Sequence, residues 1–368
     1  MQPIITTSRL GQRDEKRGLL APGMPGDGLL TIVMPTRNHA QYIRQALDSF
    51  VAQTRRPDRL VVLDDASTDD TPRILRSYAE RYAFISVITH ARNAGGLECA
   101  VEALATVETE YVMFAASDDF VDVSLCAKSL ALMDLHPQAG LCAVNVIQVD
   151  EKGRFVRRCV APPVGGSATY LDPKRFLRLL TRHGSLFYGL GTVYRTELLR
   201  SAGGFDETLK SFADDYVNQV LSAKNGACVI PEFLGYWRRL EHSYSHTTAS
   251  DPAEYLAILD ATLRRLKGPD RTVFSEEYRH RLEYRMRFGA AVAAMRSYPV
   301  DRPLLRRAIA RRGGPIGELL VLKGWAFGET VGSLTLFALL RPWDIVRVLA
   351  VRIGRLAKRD GHRRDLTD

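Results

Sequence analysis

The sequence lacks the features that would make several function classes easy to assign. Its five cysteines, Cys99, Cys126, Cys142, Cys159 and Cys228, are scattered, odd in number and never spaced as C-x-x-C. That pattern excludes a cysteine zinc site and a disulfide framework, and it fits reduced, buried thiols in a cytosolic compartment. The first apolar run is followed by Pro35-Thr36-Arg37-Asn38 and not by Gly-x-Gly-x-x-Gly. No glycine turn therefore presents a helix N-terminus to a dinucleotide pyrophosphate. Residues 1–28 hold no apolar core of signal-peptide type. They carry Arg9, Arg13, Lys16 and Arg17, then a run rich in Pro and Gly, which predicts a flexible arm. A long uncharged apolar stretch is also missing. Glu318, Lys323 and Glu329 interrupt the run from Ile316 to Leu340, so a membrane span is not expected there. There is no helix-turn-helix or RNA-recognition signature, and nucleic acid is not an expected partner.

What the chain does have is positive charge and alternating apolar runs. The net charge is +9 and the pI about 9.4. That balance suits anionic partners such as nucleotides, phospholipids or lipid pyrophosphates. Short apolar runs at Leu29–Met34, Leu60–Leu63, Phe84–Ile88 and Tyr111–Ala115 read as buried strands. Between them, helical spacing recurs after Tyr42, from about Asp70 with Ser67 or Asp69 as cap, and over Leu97–Val107. Strand and helix alternating with short connections predict an α/β fold with a mostly parallel sheet and flanking helices. Beyond it, helices are expected over Val121–Leu135, Asp172–Thr181 and Asp214–Lys224. Gly140–Val149 is expected as a strand, 154–170 as irregular chain, and Cys228–Ile230 and Phe233–Trp237 as two short strands.

Polar residues collect where the strands end: Asn38, Asp64, Asp65, Asn93, Asp118 and Asp119. In open α/β sheets, ligands bind outside the carboxyl ends of the strands. Two adjacent carboxylates there repel each other unless a cation or donor compensates. A divalent metal holding phosphates is a natural partner, because hard cations prefer oxygen ligands. Asp214 and Asp215 open a later helix, where the dipole favours acids, so helix capping accounts for them equally well at this point.

Taken in order, Pro35-Thr36-Arg37-Asn38, Asp64-Asp65-Ala66-Ser67-Thr68-Asp69, Arg92-Asn93-Ala94-Gly95, Ser117-Asp118-Asp119, Gly203-Gly204-Phe205-Asp206-Glu207 and Asp214-Asp215 form a series. It resembles the family 2 glycosyltransferases of GT-A (Rossmann-like) fold, over about residues 29–246. The resemblance implies inverting transfer of a sugar from a nucleotide-sugar, usually a UDP-sugar, to a hydroxyl of a glycan or lipid-linked acceptor in surface polysaccharide synthesis. It implies nucleotide contacts from Pro35, Thr36, Arg37, Asn38, Asp65, Arg92, Asn93, Gly95 and Asp118, with Asp65 accepting a base N–H. It implies Mn²⁺ or Mg²⁺ on Asp118 and Asp119, and a general base at Asp215 with Asp214 beside it. The chain departs from the family pattern at three points. Ala116 stands where an acid is common, Asp214 where Glu is common, and Leu240 where His is common. His242 or His246 is then a candidate substitute ligand. Multiple membrane spans and a Gln-x-x-Arg-Trp segment are absent from the sequence, which favours single addition over processive synthesis. A nucleotide-sugar-binding protein with a degenerate site is the alternative reading, kept open by Ala116.

The expected organisation is an arm over 1–28, a catalytic domain over 29–250 and a helical region over 251–368. Residues 341–368 hold eight Lys or Arg against four Asp, with apolar residues interleaved. That pattern suits either an interfacial helix on an anionic inner membrane leaflet or a helix packing on this chain or a second subunit. The expected location is cytoplasmic, with the inner face of the cell membrane as a candidate peripheral site.

Overall fold

The computed structural model describes residues 28–160, 164, 166–240, 251–297, 299–310 and 314–342. The expected arm therefore lies almost wholly outside the described residues, as do His242, His246 and the basic segment from Trp343 onward. By contacts the chain divides into two units. The first is built from 1–176, 185–207 and 214–239, and the second from 177–184, 208–213 and 240–368.

The first unit is one ten-stranded sheet in the order β3-β2-β1-β4-β9-β6-β10-β5, with β7 on β6 and β8 on β10. Strand β1 (Leu30–Thr36) lies between β2 (Arg59–Asp64) and β4 (Tyr111–Phe114), and β3 (Ile85–Thr89) flanks β2; these four are parallel. Strand β1 is buried at six of its seven positions, so side chains on both of its faces are covered, which is why it reads as a continuous apolar run and not an alternating one. Helix α1 (Ile43–Val51) turns Ile43, Ala46, Leu47 and Phe50 inward at helical spacing. Helices α2 (Thr71–Arg81) and α3 (Gly96–Thr106) complete the crossovers. The N-cap of α2 is Asp70 and not the expected Ser67 or Asp69, and its side chain makes no capping bond; Asp69, one residue earlier, accepts the Thr71 amide at 2.9 Å.

The second half of the sheet is mixed. Strand β9 (Val193–Arg195) runs antiparallel to both β4 and β6 (Leu141–Val149), and β6 runs parallel to β10 (Ala227–Arg238). Because β9 is reversed twice over, β4, β6 and β10 all end at the same edge.

Several boundaries differ from the sequence expectation. The helix expected from Val121 starts at Leu125 (α4, Leu125–Leu135), because Phe120–Val121 is drawn into the sheet as β5 against β10. The stretch expected to be irregular contains β7 (Phe155–Cys159) and β8 (Thr169–Leu171). The two short strands expected at 228–237 are one strand, interrupted by register shifts around Pro231, which has no N–H to give the ladder. Helix α5 is Pro173–His183, α6 is Thr196–Ser201 and α7 is Ala213–Asn225.

In the second unit, helices run over Pro252–Lys267, Glu276–Arg296, Arg302–Ile309, Gly314–Ala326 and Glu329–Leu340. The apolar run from Ile316 is split by Gly328 at φ +118° into two short helices. No helix among the described residues is long and apolar enough to cross a membrane.

One glycine ties the fold to the site. Gly191 sits at φ +76°, and a Cβ there would lie 2.7 Å from Val144 Cγ2 and 3.1 Å from Leu125 Cδ1. Gly191→Ala is expected to cost about 2 kcal/mol or more, through both the backbone conformation and the overlap. Urea unfolding checks this: a midpoint equal to wild type would show that the turn has another conformation.

Candidate active site

The site is assembled at the edge where β1, β2, β3 and β4 end. Asp65, just past β2, is 3% exposed. Its Oδ1 accepts the Ala94 amide and its Oδ2 the Gly95 amide, both at 2.8 Å, so the carboxylate holds the loop after β3 in place. Gly95 takes φ +105° to aim its N–H at Asp65. Burial raises the Asp65 pKa, but the two amides and His90 Nδ1 at 3.2 Å outweigh it, and the group stays below the usual carboxylate range. With its amide turned to suit its neighbours, Asn93 donates to Asp65 Oδ2 and accepts from Arg37 Nη1, each at 2.6 Å. Pro35 faces the start of α3, its Cβ 3.9 Å from where a Cβ on Gly96 would lie. Pro35, Arg37, Asp65, Asn93 and Gly95 thus form one connected wall.

The other expected nucleotide residues are placed differently. Thr36 is buried, and its carbonyl accepts the Asp65 amide at 2.9 Å. Asn38, at φ +54°, accepts the Thr68 amide at 2.8 Å and donates its own amide to Ser67 Oγ at 2.9 Å, which ties the first two loops together. Arg92 is exposed, with no hydrogen bond among the described residues. Between the first and fourth loops, His39 Nδ1 and Ser117 Oγ share a 2.6 Å hydrogen bond.

The acid pair Asp118–Asp119 is organised by Arg238 at the end of β10. The Arg238 amide donates to Asp119 Oδ1 at 2.7 Å, and its Nε donates to the Asp118 carbonyl at 2.8 Å. Its Nη1 reaches the Glu151 carbonyl at 2.6 Å and its Nη2 the Gln45 Oε1 at 2.6 Å. The guanidinium also lies over the Tyr42 and Phe120 rings, 5.0 and 5.7 Å from their centroids. Burial, and then the Asp118 charge, push the Asp119 carboxyl well above its ordinary pKa. Asp119 keeps Oδ2 free of hydrogen bonds, and the half-buried Asp118 carboxylate makes none among the described residues. Adjacent acids with unused oxygens fit a hard divalent cation.

A second set of groups must be weighed as ligands. Asp65, His90 and Cys99 each bring one atom within 4.8 Å of the others. However, both Asp65 oxygens already accept amides, and burial pushes the Cys99 thiol up to about 12. A protonated thiol is a poor ligand, so the set reads as a brace for Asp65.

The third acid cluster opens α7. The loop before β9 meets it: a Cβ on Gly189 would lie 2.1 Å from Asp214 Oδ2. Since Val193 of β9 pairs with Met113 of β4, this loop lies at the edge that also carries Asp118 and Asp119. Asp214 Oδ1 accepts the Asp215 amide at 2.8 Å, and burial raises its carboxyl. Asp215 Oδ2 accepts from Ser185 Oγ and, at 2.9 Å, from Gln219 Nε2. Burial pushes Asp215 up to about 7; the Asp214 charge adds to the rise, while Ser185 and Gln219 oppose it. Both acids keep part of their surface open to solvent.

Sequence reasoning missed Arg238, Ser185, Gln219, His90 and the His39–Ser117 link. Only Arg238 carried a signal: a charged residue closing an apolar strand needs buried acceptors.

Comparison with known proteins concerns the family and the fold. Residues 31–201 match the family model described as glycosyl transferase family 2. An uncharacterized protein of Mycobacterium tuberculosis is 27% identical over 231 residues, which are 61% of this chain and 63% of that protein. The poly(ribitol-phosphate) β-N-acetylglucosaminyltransferase TarS of Staphylococcus aureus (strain MW2) is 28% identical over 237 residues, 62% of this chain and 39% of that one. The chain thus spans less than two thirds of the length of these relatives. Among solved structures, S. aureus TarS 1–349 with UDP-GlcNAc aligns with TM-score 0.60 at 20% identity, covering 86% of this chain and 88% of that one. The mannosyltransferase PcManGT of Pyrobaculum calidifontis, with GDP-Man and Mn²⁺, aligns at 0.51 and 18% identity, covering 88% of each chain. At these identities the structural likeness concerns the fold.

Removing the Arg238 side chain leaves four acceptors at the acidic edge without their donor. Arg238→Ala is expected to destabilise the protein by about 3 kcal/mol or more, and Arg238→Lys to recover only part of that. A loss below about 0.5 kcal/mol in chemical denaturation would show that the clamp carries no stability.

Proposed function

We propose, from the match of residues 31–201 to the glycosyl transferase family 2 model and from the GT-A-like fold, that the chain transfers a sugar from a nucleotide-sugar, with inversion, to a hydroxyl of a glycan or lipid-linked acceptor. The observation that carries this reading is Asp215. It is a half-buried carboxylate with a pKa raised to about 7, held by Ser185 and Gln219 at the edge that also carries Asp118 and Asp119.

An acceptor hydroxyl is a weak nucleophile, and a carboxylate near neutral pKa can take its proton as attack proceeds. Asp214 is fixed against the Gly189 turn and its charge helps keep Asp215 basic. The wall of Pro35, Arg37, Asp65, Asn93 and Gly95 suits a planar base, and a UDP-sugar is the donor proposed. Arg37 and Arg92 would meet anionic oxygens. Asp118 and Asp119 would hold Mn²⁺ or Mg²⁺, which when bound stabilises charge on a departing diphosphate. Attack from the face opposite the leaving group needs one base and no second catalytic carboxylate of the hydrolase type. TarS, a poly(ribitol-phosphate) glycosyltransferase, supports a cell-surface polymer as the acceptor class.

The test is a panel of nucleotide-sugars assayed for nucleotide release with and without Mn²⁺. Chelation is expected to abolish release, and one UDP-sugar to give the largest rate. If no nucleotide-sugar binds with metal present, the enzyme reading fails. Binding without turnover on any acceptor would favour the degenerate-site alternative that Ala116 keeps open. Asp215→Asn is expected to keep donor binding and lose transfer by roughly a hundredfold to ten-thousandfold. The sign of the pH effect follows from the raised pKa. Asp215 is protonated and inactive below about 7 and becomes a base above it, so kcat/KM should climb through that region and level off. A flat profile from pH 5 to 8, or full transfer by the Asn variant, would remove Asp215 from the mechanism.

A further inference from the structure

The two oxygens of the Asp215 carboxylate have different surroundings. Asp215 stands in the first turn of α7, where an acid ordinarily turns back to cap backbone amides. It does not do so here. Asp214 takes that part, its Oδ1 accepting the Asp215 amide at 2.8 Å. Asp215 instead receives two side chains on one atom. Ser185 Oγ, from the chain between α5 and β9, and Gln219 Nε2, at 2.9 Å from the next turn of α7, both donate to Oδ2. Oδ1 makes no hydrogen bond among the described residues, and Asp215 is only partly buried. The sequence left capping and chemistry equally open for this acid, and these bonds spend none of its oxygens on the helix.

The arrangement does more than hold the side chain. The terminal torsion of an aspartate is broad, so a lone donor would leave the carboxylate plane free to swing. Two donors that reach one oxygen from separate elements fix that plane, and with it the direction of the lone pairs on the other oxygen. Gln219 is 2% exposed, and a buried amide is costly to leave unpaired, which favours its bond to Oδ2. An oxygen that already accepts two hydrogen bonds is also the weaker base of the two, because a proton arriving there must displace a donor. On the transferase reading of this site, we propose that Ser185 and Gln219 are positioning residues for Asp215 and that its Oδ1 is the oxygen that takes the acceptor's proton. In that step the acceptor oxygen bonds the anomeric carbon and its proton passes to Oδ1. The bond from that carbon to the diphosphate oxygen breaks, and its electron pair leaves on the nucleotide diphosphate. Oδ2 keeps both donors throughout, since the unprotonated oxygen of a carboxylic acid still accepts.

The titratable groups that act on Asp215 are Asp214, on the same helix, and Tyr194 of β9, a buried phenol kept neutral by burial and then by the two acids. Ser185 and Gln219 favour the charged form, against the burial that holds the group up at about 7. Removing either donor therefore moves Asp215 further up. The test uses the full chain with Ser185→Ala, Ser185→Thr and Gln219→Met; Ser185 is exposed, so its replacement leaves the core intact. The Asp215 carboxyl carbon is followed by NMR in protein made with labelled aspartate, its signal assigned by its loss in Asp215→Asn. Ser185→Ala and Gln219→Met are each expected to titrate at a pH higher by about 0.5 to 1, and Ser185→Thr, which keeps the hydroxyl, with wild type. The rising limb of kcat/KM should move by the same amount, with kcat at its plateau down roughly tenfold and donor Kd unchanged. Ala and Met variants that titrate with wild type overturn the proposal. So does a loss confined to donor affinity, or a Thr variant as impaired as the Ala variant. The NMR titration needs no turnover, so failure of the pair is read apart from failure of the transferase reading. Full transfer by Asp215→Asn is that second failure, and it removes the base and the pair with it.

Discussion

The acidic sheet edge depends on one buried cation. Four strands deliver polar loops to the same side, and Asp118 and Asp119 arrive there as adjacent carboxylates, with burial already working against the charge of Asp119. Arg238 makes that arrangement stable. Its fork spends its donors on the Asp118, Asp150 and Glu151 carbonyls and on Gln45, while its own amide holds Asp119. A lysine has too few directional donors to reach those positions together. Because the fork binds mostly backbone carbonyls, it fixes the turn after β4 and the turn after β6 without neutralising both acids. The free oxygens of Asp118 and Asp119 remain available, which is what a cation site requires.

The same logic, with the opposite balance, governs the other acids. Asp65 keeps a lowered pKa despite its burial, because two amides and a histidine donate to it. Asp215 receives a hydroxyl and a side-chain amide, and these do not offset burial beside Asp214. Hydrogen-bond count and donor type thus separate a carboxylate that holds a loop from one that can carry a proton near neutral pH. The distinction is one of role: Asp65 keeps Ala94 and Gly95 in place, and Asp215 is the acid proposed to exchange a proton.

The parts legible in the sequence were those written in local chemistry. Continuous apolar runs marked β1, β2 and β4, because buried parallel strands need them, and polar residues at their ends marked the edge. The short strands β5, β7 and β8 were not legible. β7 exposes Phe155 and Val156, and β5 has two residues, so neither shows a periodic pattern. Their conformations come from pairing with β6 and β10, which is long-range information. Ser185 and Gln219 were hidden for the same reason: one lies 30 residues before Asp215, and the other looks like an ordinary helical glutamine four residues on. Asp214 and Asp215 themselves were visible, but only as acids that could equally cap a helix.

Charge distribution changes how the positive balance should be read. The +9 of the chain suggests an anionic partner for the whole protein, yet residues 302–368 hold +8 of it. Residues 1–301, which include the entire sheet, are left at +1. Those residues therefore supply little net positive charge of their own for a nucleotide diphosphate. Its charge would have to be met locally, by Arg37, Arg92 and a cation on the Asp118–Asp119 pair, over distances where screening is weak. Salt should then affect donor binding little.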